Sequence, residues 1–411
     1  MRFSERLGLP DDAPRVIKLA VGFYLAHLSV EWWISGSQIF LSLAVVFSFL
    51  GIIHGPLRFR FHELYLPMGL FLVASTLSAA LSARPFESLG EISEWLSFLT
   101  FLVGITLCRS VDGLAQKGAD VLLWWGCLIA TYGLAQYLFF GFRDLEHRMT
   151  GPTPHVMTFS GILLATVFIA IARFLHGRRP IHGAAAALLT TTLILTLTRS
   201  AWLGWVAGVI AIAALRRSRS FLLLAPVAVI VLTALPLPIF GRLMSSFDPG
   251  QYSNLDRIRM VEAGIAIVAD HPVAGVGPGM IGRSYPNYRK PDAPRFHVPH
   301  LHNNVVQLWA ERGILAMIGY FLIVGLAVAR FTKDSRDGPR SYLSEAAVGA
   351  TVALFVAGWF EFNFGDSEVL MTWLDICALA GAGTVPGLVS RVSSNGSDGS
   401  VVQPEKANLT Q

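Results

Sequence analysis

The sequence predicts an all-α polytopic membrane protein with about 12 transmembrane helices. Hydrophobic residues make up 53% of the 411-residue chain and charged residues only 14%. Apolar runs of bilayer-spanning length recur from Val16 to about Leu388, which is too many for a soluble core. Because lipid offers no partner to a backbone polar group, these runs must form helices or a closed barrel, and a barrel would show alternating polarity. The unbroken runs therefore favour helices.

The apolar runs place helices at 16–34, 37–54, 63–82, 90–108, 119–140, 156–175, 183–199, 200–215, 220–240, 305–329, 341–361 and 368–388. We divide the chain accordingly into four parts. An N-terminal bundle of about nine helices occupies 1–240, a long loop occupies 241–304, and about three further helices occupy 305–388. The tail at 389–411 is rich in Ser, Gly and Asn, so we expect it to be disordered.

The distribution of Lys and Arg predicts the orientation of the helices. Of the 32 basic residues, 20 lie in alternate short segments that include both termini, whereas the short segments between them hold four. Short loops rich in positive charge stay in the cytoplasm, and long loops are largely exempt from this rule. We therefore expect both termini to be cytoplasmic and the 241–304 loop to lie on the outer side, with membrane lipids around the helices.

Composition also excludes some functions. The sequence pI near 9.2 reflects basic residues spread over the inner segments without aromatic interleaving, so it does not predict a nucleic-acid partner. Cys108, Cys127 and Cys377 are isolated within or beside predicted helices, which predicts inert packing residues without a disulfide or a Cys-x-x-Cys metal site.

The 241–304 loop is a candidate functional segment, since long connections without structure are uncommon. Ser253-Asn254 offers a helix start, and Val261, Gly264, Ile265 and Val268 recur at helical spacing, which predicts an amphipathic helix near 255–270. Arg257 is placed at the head of this apolar face as a candidate anion-binding residue. Arg259 lies on the opposite side, where Glu262 can pair with it. The glycines of 274–279 favour a plain turn over a phosphate-binding nest.

The histidines at the end of this loop are candidates for chemistry. His297, His300 and His302 lack a nearby cysteine or suitably spaced carboxylate on the same segment, so no metal site is predicted. We expect a helix to start near Leu301, with His302 in its first turn, where the helix dipole favours a neutral ring that can accept a proton. Further along, Glu311 continues a polar stripe and is expected to make a structural hydrogen bond.

Thr198-Arg199-Ser200-Ala201-Trp202 lies at the outer end of two predicted helices. An arginine at this depth either extends to the headgroups or has an anionic partner. Arg199, Arg257 and His302 are therefore all expected at the outer face.

These motifs together resemble the O-antigen ligase and polymerase family of bacterial envelope proteins. The pattern runs from Arg257 through His271-Pro272 and Gly275-Val276-Gly277 to His300-x-His302-Asn303, with Gly313 following, and the Thr198–Trp202 motif belongs to it. The sequence-specific part covers about 198–205 and 257–320, while the hydropathic layout covers most of the chain.

The resemblance implies a metal-independent glycosyltransferase with a GT-C-like helical fold and no cofactor, in the bacterial inner membrane. Such an enzyme moves a glycan from undecaprenyl diphosphate to an acceptor on the periplasmic face. By position, Arg199 and Arg257 correspond to diphosphate-binding arginines and His302 to the essential histidine. His300 and Asn303 are carried over as supporting residues.

Three functions remain open at this point, besides a related enzyme that attaches glycans to a protein or another acceptor. An O-antigen ligase would attach the glycan to lipid A-core in lipopolysaccharide biosynthesis, and the single large loop late in the chain favours it. An O-antigen polymerase would extend lipid-linked repeats and shares every motif. A transporter of lipid-linked glycans would use the same arginines on a headgroup, but such proteins tend to show repeated halves, and none is visible.

Overall fold

The computed structural model describes residues 9, 13–55, 57–92, 94–142, 144, 146–217, 250–336 and 341–382. Within that part of the chain the regular secondary structure is helical, in 14 helices. They are α1 (Arg15–Ser29), α2 (Ile34–Ile53), α3 (Tyr65–Leu81), α4 (Pro85–Gly90), α5 (Glu94–Ser110), α6 (Leu114–Phe139), α7 (Val156–Gly177), α8 (Pro180–Leu195), α9 (Arg199–Leu215), α10 (Tyr252–Asp270), α11 (Ile281–Tyr288), α12 (Asn304–Asp334), α13 (Ser341–Ala357) and α14 (Ser367–Gly381).

The predicted all-α class is confirmed, and eleven of the twelve predicted spans contain a helix. The twelfth, at 220–240, lies outside the described residues, as does the tail at 389–411. Five helical stretches among the described residues are long and apolar enough to cross a membrane. They are Ile34–Ile53, Pro85–Ser110, Leu114–Phe139, Val156–Gly177 and Asn304–Asp334. Four more apolar helices are shorter, so the count of about 12 spans remains a prediction.

Small residues bring neighbouring helices into close contact. On α9, Gly204 and Gly208 are four residues apart and face α13. A Cβ added at Gly204 would lie 2.5 Å from the Ala353 carbonyl oxygen. A Cβ added at Gly208 would lie 2.6 Å from the Gly349 carbonyl oxygen. Helices in membranes use such small residues because dispersion contacts, rather than water exclusion, hold them together. This packing joins α9, whose first residue is Arg199, to α13, which leads into the site.

Helix α12 is broken at Gly313, which has φ 76° and ψ 180°. The loop after α10 fills the break: Ile314 donates its backbone N–H to the Pro272 carbonyl at 3.2 Å, and Val276 donates to Ala310 at 2.9 Å. A Cβ at Gly313 would lie only 1.8 Å from the Val273 carbonyl oxygen. Glycine is therefore required here, and the inserted loop satisfies backbone groups that the break would otherwise leave unpaired.

Candidate active site

A cavity of about 770 Å³ lies between the loop that follows α10, the start of α12 and the connection between α13 and α14. Its wall includes the side chains of Arg148, Arg257, His300, His302, Glu361 and Asp366. Two of the predicted functional residues, Arg257 and His302, therefore face one space. The cavity is large enough for a sugar with part of a diphosphate, since ligand pockets range over roughly 300–1,000 Å³.

His302 lies just before α12 in an unusual backbone conformation. Its φ is 52°, in the left-handed region that non-glycine residues rarely adopt. The helix begins at Asn304 with Asn303 as its N-cap, whose side-chain oxygen accepts a hydrogen bond from the Val306 N–H at 2.9 Å. The prediction of His302 in the first helical turn was wrong, because Asn303 is the N-cap and the helix begins at Asn304, three residues after the expected start. The argument from the helix dipole therefore does not apply to this ring.

A carboxylate holds the His302 ring instead. His302 Nδ1 lies 2.9 Å from Glu361 Oε1, and the two side chains are only 16% and 10% exposed. With Nδ1 engaged by the carboxylate, Nε2 is the nitrogen left to exchange a proton. A carboxylate on one ring nitrogen both fixes the tautomer and stabilises an imidazolium once formed.

Glu361 also contacts Arg257, whose Nη2 lies 3.4 Å from Glu361 Oε2. Burial on its own would raise the pKa of Glu361, but the hydrogen bond with His302 and the neighbouring charges of His302 and Arg257 lower that pKa to about 2. Glu361 is thus a carboxylate at neutral pH and links the predicted base to a predicted diphosphate-binding residue. Sequence reasoning missed it because it was placed as the last residue of the 341–361 span. One feature of the sequence could have identified it. A carboxylate at the end of a membrane helix is costly, so it usually has a binding or catalytic role or a paired charge.

Helix α10 carries Arg257 and confirms the helix predicted near 255–270, although its docked face differs from the predicted one. The buried residues are Asp256, Met260, Ala263, Gly264 and Ile267, whereas Ile265 is 57% exposed. The apolar repeat was misassigned because Ile265 belongs to the outward side. The expected N-cap at Ser253-Asn254 is also wrong: the helix starts at Tyr252 after Gln251.

Arg259 forms the predicted pair with Glu262, at 2.7 Å between Nη1 and Oε2. It also contacts Asp292 at 2.5 Å, and it is not among the residues lining the cavity. The two arginines of α10 therefore have different surroundings, as the sequence predicts: Arg257 lines the cavity, and Arg259 forms ion pairs away from it.

Arg199, the first residue of α9, does not line the cavity but contacts the helix that does. Its Nη2 donates to Asn254 Oδ1 at 2.6 Å and to Ser253 Oγ at 3.3 Å, about one helical turn before Arg257. Ser253 itself lines the cavity. The structure thus places Arg199 beside the N-terminal turn of α10, at the cavity margin.

Arg148 is a second cavity residue that sequence reasoning did not select. It lies in the connection between α6 and α7, a short segment that carries no recognisable motif. Its Nη1 is buried and has no hydrogen-bond partner among the described residues. Burial and the neighbouring Arg257 lower the pKa of Arg148. Arg148 and Arg257 both line the cavity, and Arg148 has an unused donor, so their guanidinium groups form a wall suited to an anionic ligand.

His300 packs against His302 with ring centroids 4.3 Å apart. Burial, followed by the influence of His302, lowers the pKa of His300 to about 4, so this ring is neutral near pH 7. Asn303, besides capping α12, donates to the Trp359 carbonyl at 2.9 Å and so ties the helix start to the loop that carries Glu361. Both residues are placed to support the site.

Glu311 and the glycine segment at 274–279 have structural partners. Glu311 Oε1 accepts a hydrogen bond from the Gly279 N–H at 3.0 Å, as expected for a structural role. The amides of Gly275, Val276 and Gly277 donate to backbone carbonyls of His271, Ala310 and Glu311. Since these amides are already engaged, the glycine segment is a packed turn and not an anion-binding nest. The three cysteines are free and buried.

Comparison with known protein families gives a match to part of the chain. Residues 184–321 match a protein-family model described as O-Antigen ligase. No curated protein matches the chain. The matched segment contains Arg199, Arg257, His300, His302 and Asn303, while Arg148 and Glu361 lie outside it. Because the match falls on the segment that carries the sequence motifs, it confirms the resemblance of residues 184–321 to the O-antigen ligase family.

Proposed function

We propose that this protein is an O-antigen ligase that transfers a glycan from undecaprenyl diphosphate to lipid A-core on the periplasmic face of the bacterial inner membrane. The observation that carries the proposal is the contact of His302 and Arg257 with one carboxylate, Glu361, in the wall of a 770 Å³ cavity. The match of residues 184–321 to the O-antigen ligase family supports a glycosyltransferase acting on a lipid-linked glycan. The acceptor and the undecaprenyl carrier are part of the proposal.

The arginines would bind the diphosphate of the donor. Arg257 and Arg148 face the cavity, and Arg148 has an unused donor nitrogen. Arg199 braces the first turn of α10 and would reach the diphosphate from the cavity margin. Each charge-assisted hydrogen bond contributes about 1.5–3 kcal/mol, and guanidinium forks match phosphate oxygens better than ammonium groups do. Binding that tightens as negative charge develops on the departing diphosphate would lower the barrier.

His302 would act as the general base. The acceptor hydroxyl gives its proton to Nε2 while its oxygen bonds to the anomeric carbon of the donor sugar. The bond from that carbon to the diphosphate oxygen breaks, and the electron pair leaves with the lipid diphosphate. The imidazolium that forms is stabilised by Glu361 at 2.9 Å. A positioned base of this kind typically contributes about 10²–10⁴-fold in rate.

The energy for the transfer comes from the donor. The sugar–diphosphate bond is itself activated, so the reaction needs no nucleotide on the periplasmic side, and we propose that the enzyme works without a metal at this site. Arg257 beside Glu361 supports this, because a guanidinium next to a candidate ligand repels a divalent cation. With both termini in the cytoplasm, the 241–304 loop and its cavity would face the periplasm.

The experiment that tests the proposal is deletion of the gene in its own bacterium, followed by gel analysis of lipopolysaccharide and a blot for carrier-linked O-antigen. The ligase proposal expects every O-antigen-bearing band to disappear while long chains accumulate on the carrier. Survival of a core-plus-one-repeat band without the ladder would identify the polymerase instead. Loss of the O-antigen-bearing bands with the carrier-linked glycan retained on the cytoplasmic face would point to a transporter.

Complementation with variants then tests the site itself. His302→Ala should give no ligated lipopolysaccharide, because the general base is lost. The variant should still be inserted in the membrane in normal amount, because the fold is kept. His297→Ala is the matched control, since His297 lies on the same loop and is exposed. Normal ligation by His302→Ala would rule out the base role.

A further inference from the structure

A buried polar cluster lies apart from the cavity, at the end of α1. It consists of His27 on α1, Glu31 in the turn that follows, and Asp375 on α14. His27 and Asp375 are fully buried and Glu31 is 4% exposed, and none of the three lines the active-site cavity. Ionisable groups inside a helical bundle are costly, so such a cluster calls for a specific explanation.

The side chains of the cluster are of types that can bind a metal ion. His27 Nε2 lies 3.0 Å from Asp375 Oδ2, and one ligand atom from each of His27, Glu31 and Asp375 lies within 4.8 Å of the others. Tyr24 donates its hydroxyl hydrogen to Asp375 Oδ1 at 2.8 Å. Glu31 Oε1 is buried and has no hydrogen-bond partner among the described residues. Two carboxylates in one buried place need a compensating positive charge.

The orientation of His27 indicates where that charge would sit. Its Nδ1 lies 2.9 Å from Ser37 Oγ and 3.1 Å from the Ser37 carbonyl oxygen, so this nitrogen is engaged by Ser37. In the tautomer whose Nδ1 donates to the carbonyl oxygen, the lone pair of Nε2 points toward Asp375. Metal-binding histidines are held in this way, with the second nitrogen donating to a backbone carbonyl. Tyr24 plays the same outer role for Asp375.

The part of the chain that the structure describes contains one other group with metal-ligand composition, His300, His302 and Glu361. That group has the guanidinium of Arg257 at 3.4 Å from Glu361. In the buried cluster Asp375 contacts His27, and among the described residues no arginine or lysine forms an ion pair with Glu31 or Asp375. A divalent cation is therefore favoured in the buried cluster and opposed in the active site.

We propose that His27, Glu31 and Asp375 bind one divalent transition-metal ion of the zinc type, which fastens α1 and the turn after it to α14. One imidazole and two carboxylates neutralise the charge of such an ion and match its ligand preference. Bonds of about 2.1 Å require ligand atoms no more than about 4.2 Å apart, so a small movement of Glu31 completes the site. This role is structural and is independent of the proposed transfer reaction.

The test uses full-length protein without a histidine tag, purified in detergent, stripped with a chelator and then titrated with Zn²⁺. We expect one equivalent of zinc per chain by elemental analysis, a rise in melting temperature on binding, and visible absorption bands when Co²⁺ replaces zinc. Glu31→Gln and Asp375→Asn keep side-chain size and should each weaken binding by at least about tenfold. His302→Ala removes a ligand of the other group and should bind zinc like the wild type.

Each contrary result is informative. If stripped wild-type protein takes up no zinc, protons alone neutralise the cluster and the proposal is overturned. The same conclusion holds if zinc binding survives both Glu31→Gln and Asp375→Asn, or if His302→Ala abolishes it. Should Asp375→Asn fail to fold, Glu31→Gln decides the matter, because Glu31 lies in a turn. None of these readouts depends on glycan transfer, so failure here leaves the proposed function untouched.

Discussion

Replacing Glu361 with glutamine should lower the rate of glycan transfer while leaving the cavity intact. Glutamine keeps the size of the side chain and removes its charge, so the imidazolium of His302 loses its counter-ion. The hydrogen bond between His302 Nδ1 and Glu361 Oε1 is 2.9 Å long. The two side chains are only 16% and 10% exposed, so solvent screens the interaction little.

The expected size of the effect follows from that geometry. Hydrogen bonds to charged groups contribute about 1.5–3 kcal/mol. Since about 1.4 kcal/mol corresponds to tenfold in rate, kcat should fall by about 10- to 150-fold. The longer contact of Arg257 with Glu361, at 3.4 Å, should contribute less and affect KM for the donor more than kcat.

The assay is transfer by purified protein with a carrier-linked glycan donor and lipid A-core, at donor concentrations that separate kcat from KM. Glu262→Gln is the matched control, because Glu262 forms a carboxylate–guanidinium pair with Arg259 on α10 and is not among the residues lining the cavity. We expect the control to stay within about twofold of wild type, as for other exposed ion pairs. A kcat for Glu361→Gln equal to that of Glu262→Gln would refute the orienting role of Glu361.

Three further outcomes are expected. Arg257→Lys should reduce transfer by at least about tenfold through loss of the forked phosphate contact, whereas Arg259→Lys should change it little; equal effects in the same assay would contradict the assignment of the two faces of α10. Gly313→Ala should destabilise the protein by more than the roughly 1–3 kcal/mol of a strained backbone, because its Cβ would overlap a carbonyl oxygen 1.8 Å away. Gly325→Ala, with no atom within 4 Å of its Cβ, should melt like wild type in detergent. Finally, folding lowers the pKa of His300 from 6.5 to about 4. Between pH 6.5 and pH 4 the folded protein therefore binds fewer protons than the unfolded chain. The free energy of unfolding should fall as the pH drops through this range. His300→Asn should flatten the fall of melting temperature over this range, and an unchanged slope would show that His300 is not its source.

The apolar pattern was sufficient to predict the long apolar helices, because a membrane-spanning helix must satisfy its own backbone and so reads as one long hydrophobic run. It gave no sign of the short helices α4 and α11. It was less informative for α10. That helix lies on other protein and is only partly buried, so Ile265 faces outward while Met260 and Ala263 dock. The helical spacing of hydrophobic residues therefore does not show which face of such a helix packs against the rest of the protein.

The site shows a similar division. Arg257 and His302 could be selected because they stand in motifs on one stretch of sequence. Glu361 and Arg148 come from other connections, and only the packing of α13 and α14 against the start of α12 brings Glu361 to the histidine. The conformation of His302 was equally hidden, because a positive φ at a non-glycine residue depends on the surrounding contacts and has no signal in the sequence.

The most direct test of the account is reconstitution of the purified protein with its two lipid substrates, following the release of undecaprenyl diphosphate and the appearance of glycan on lipid A-core. Wild-type protein should produce the two in equal amounts, and His302→Ala, at the same folded concentration, should produce neither. Transfer by His302→Ala at the wild-type rate, or carrier release without glycan on the acceptor, would contradict the proposed mechanism.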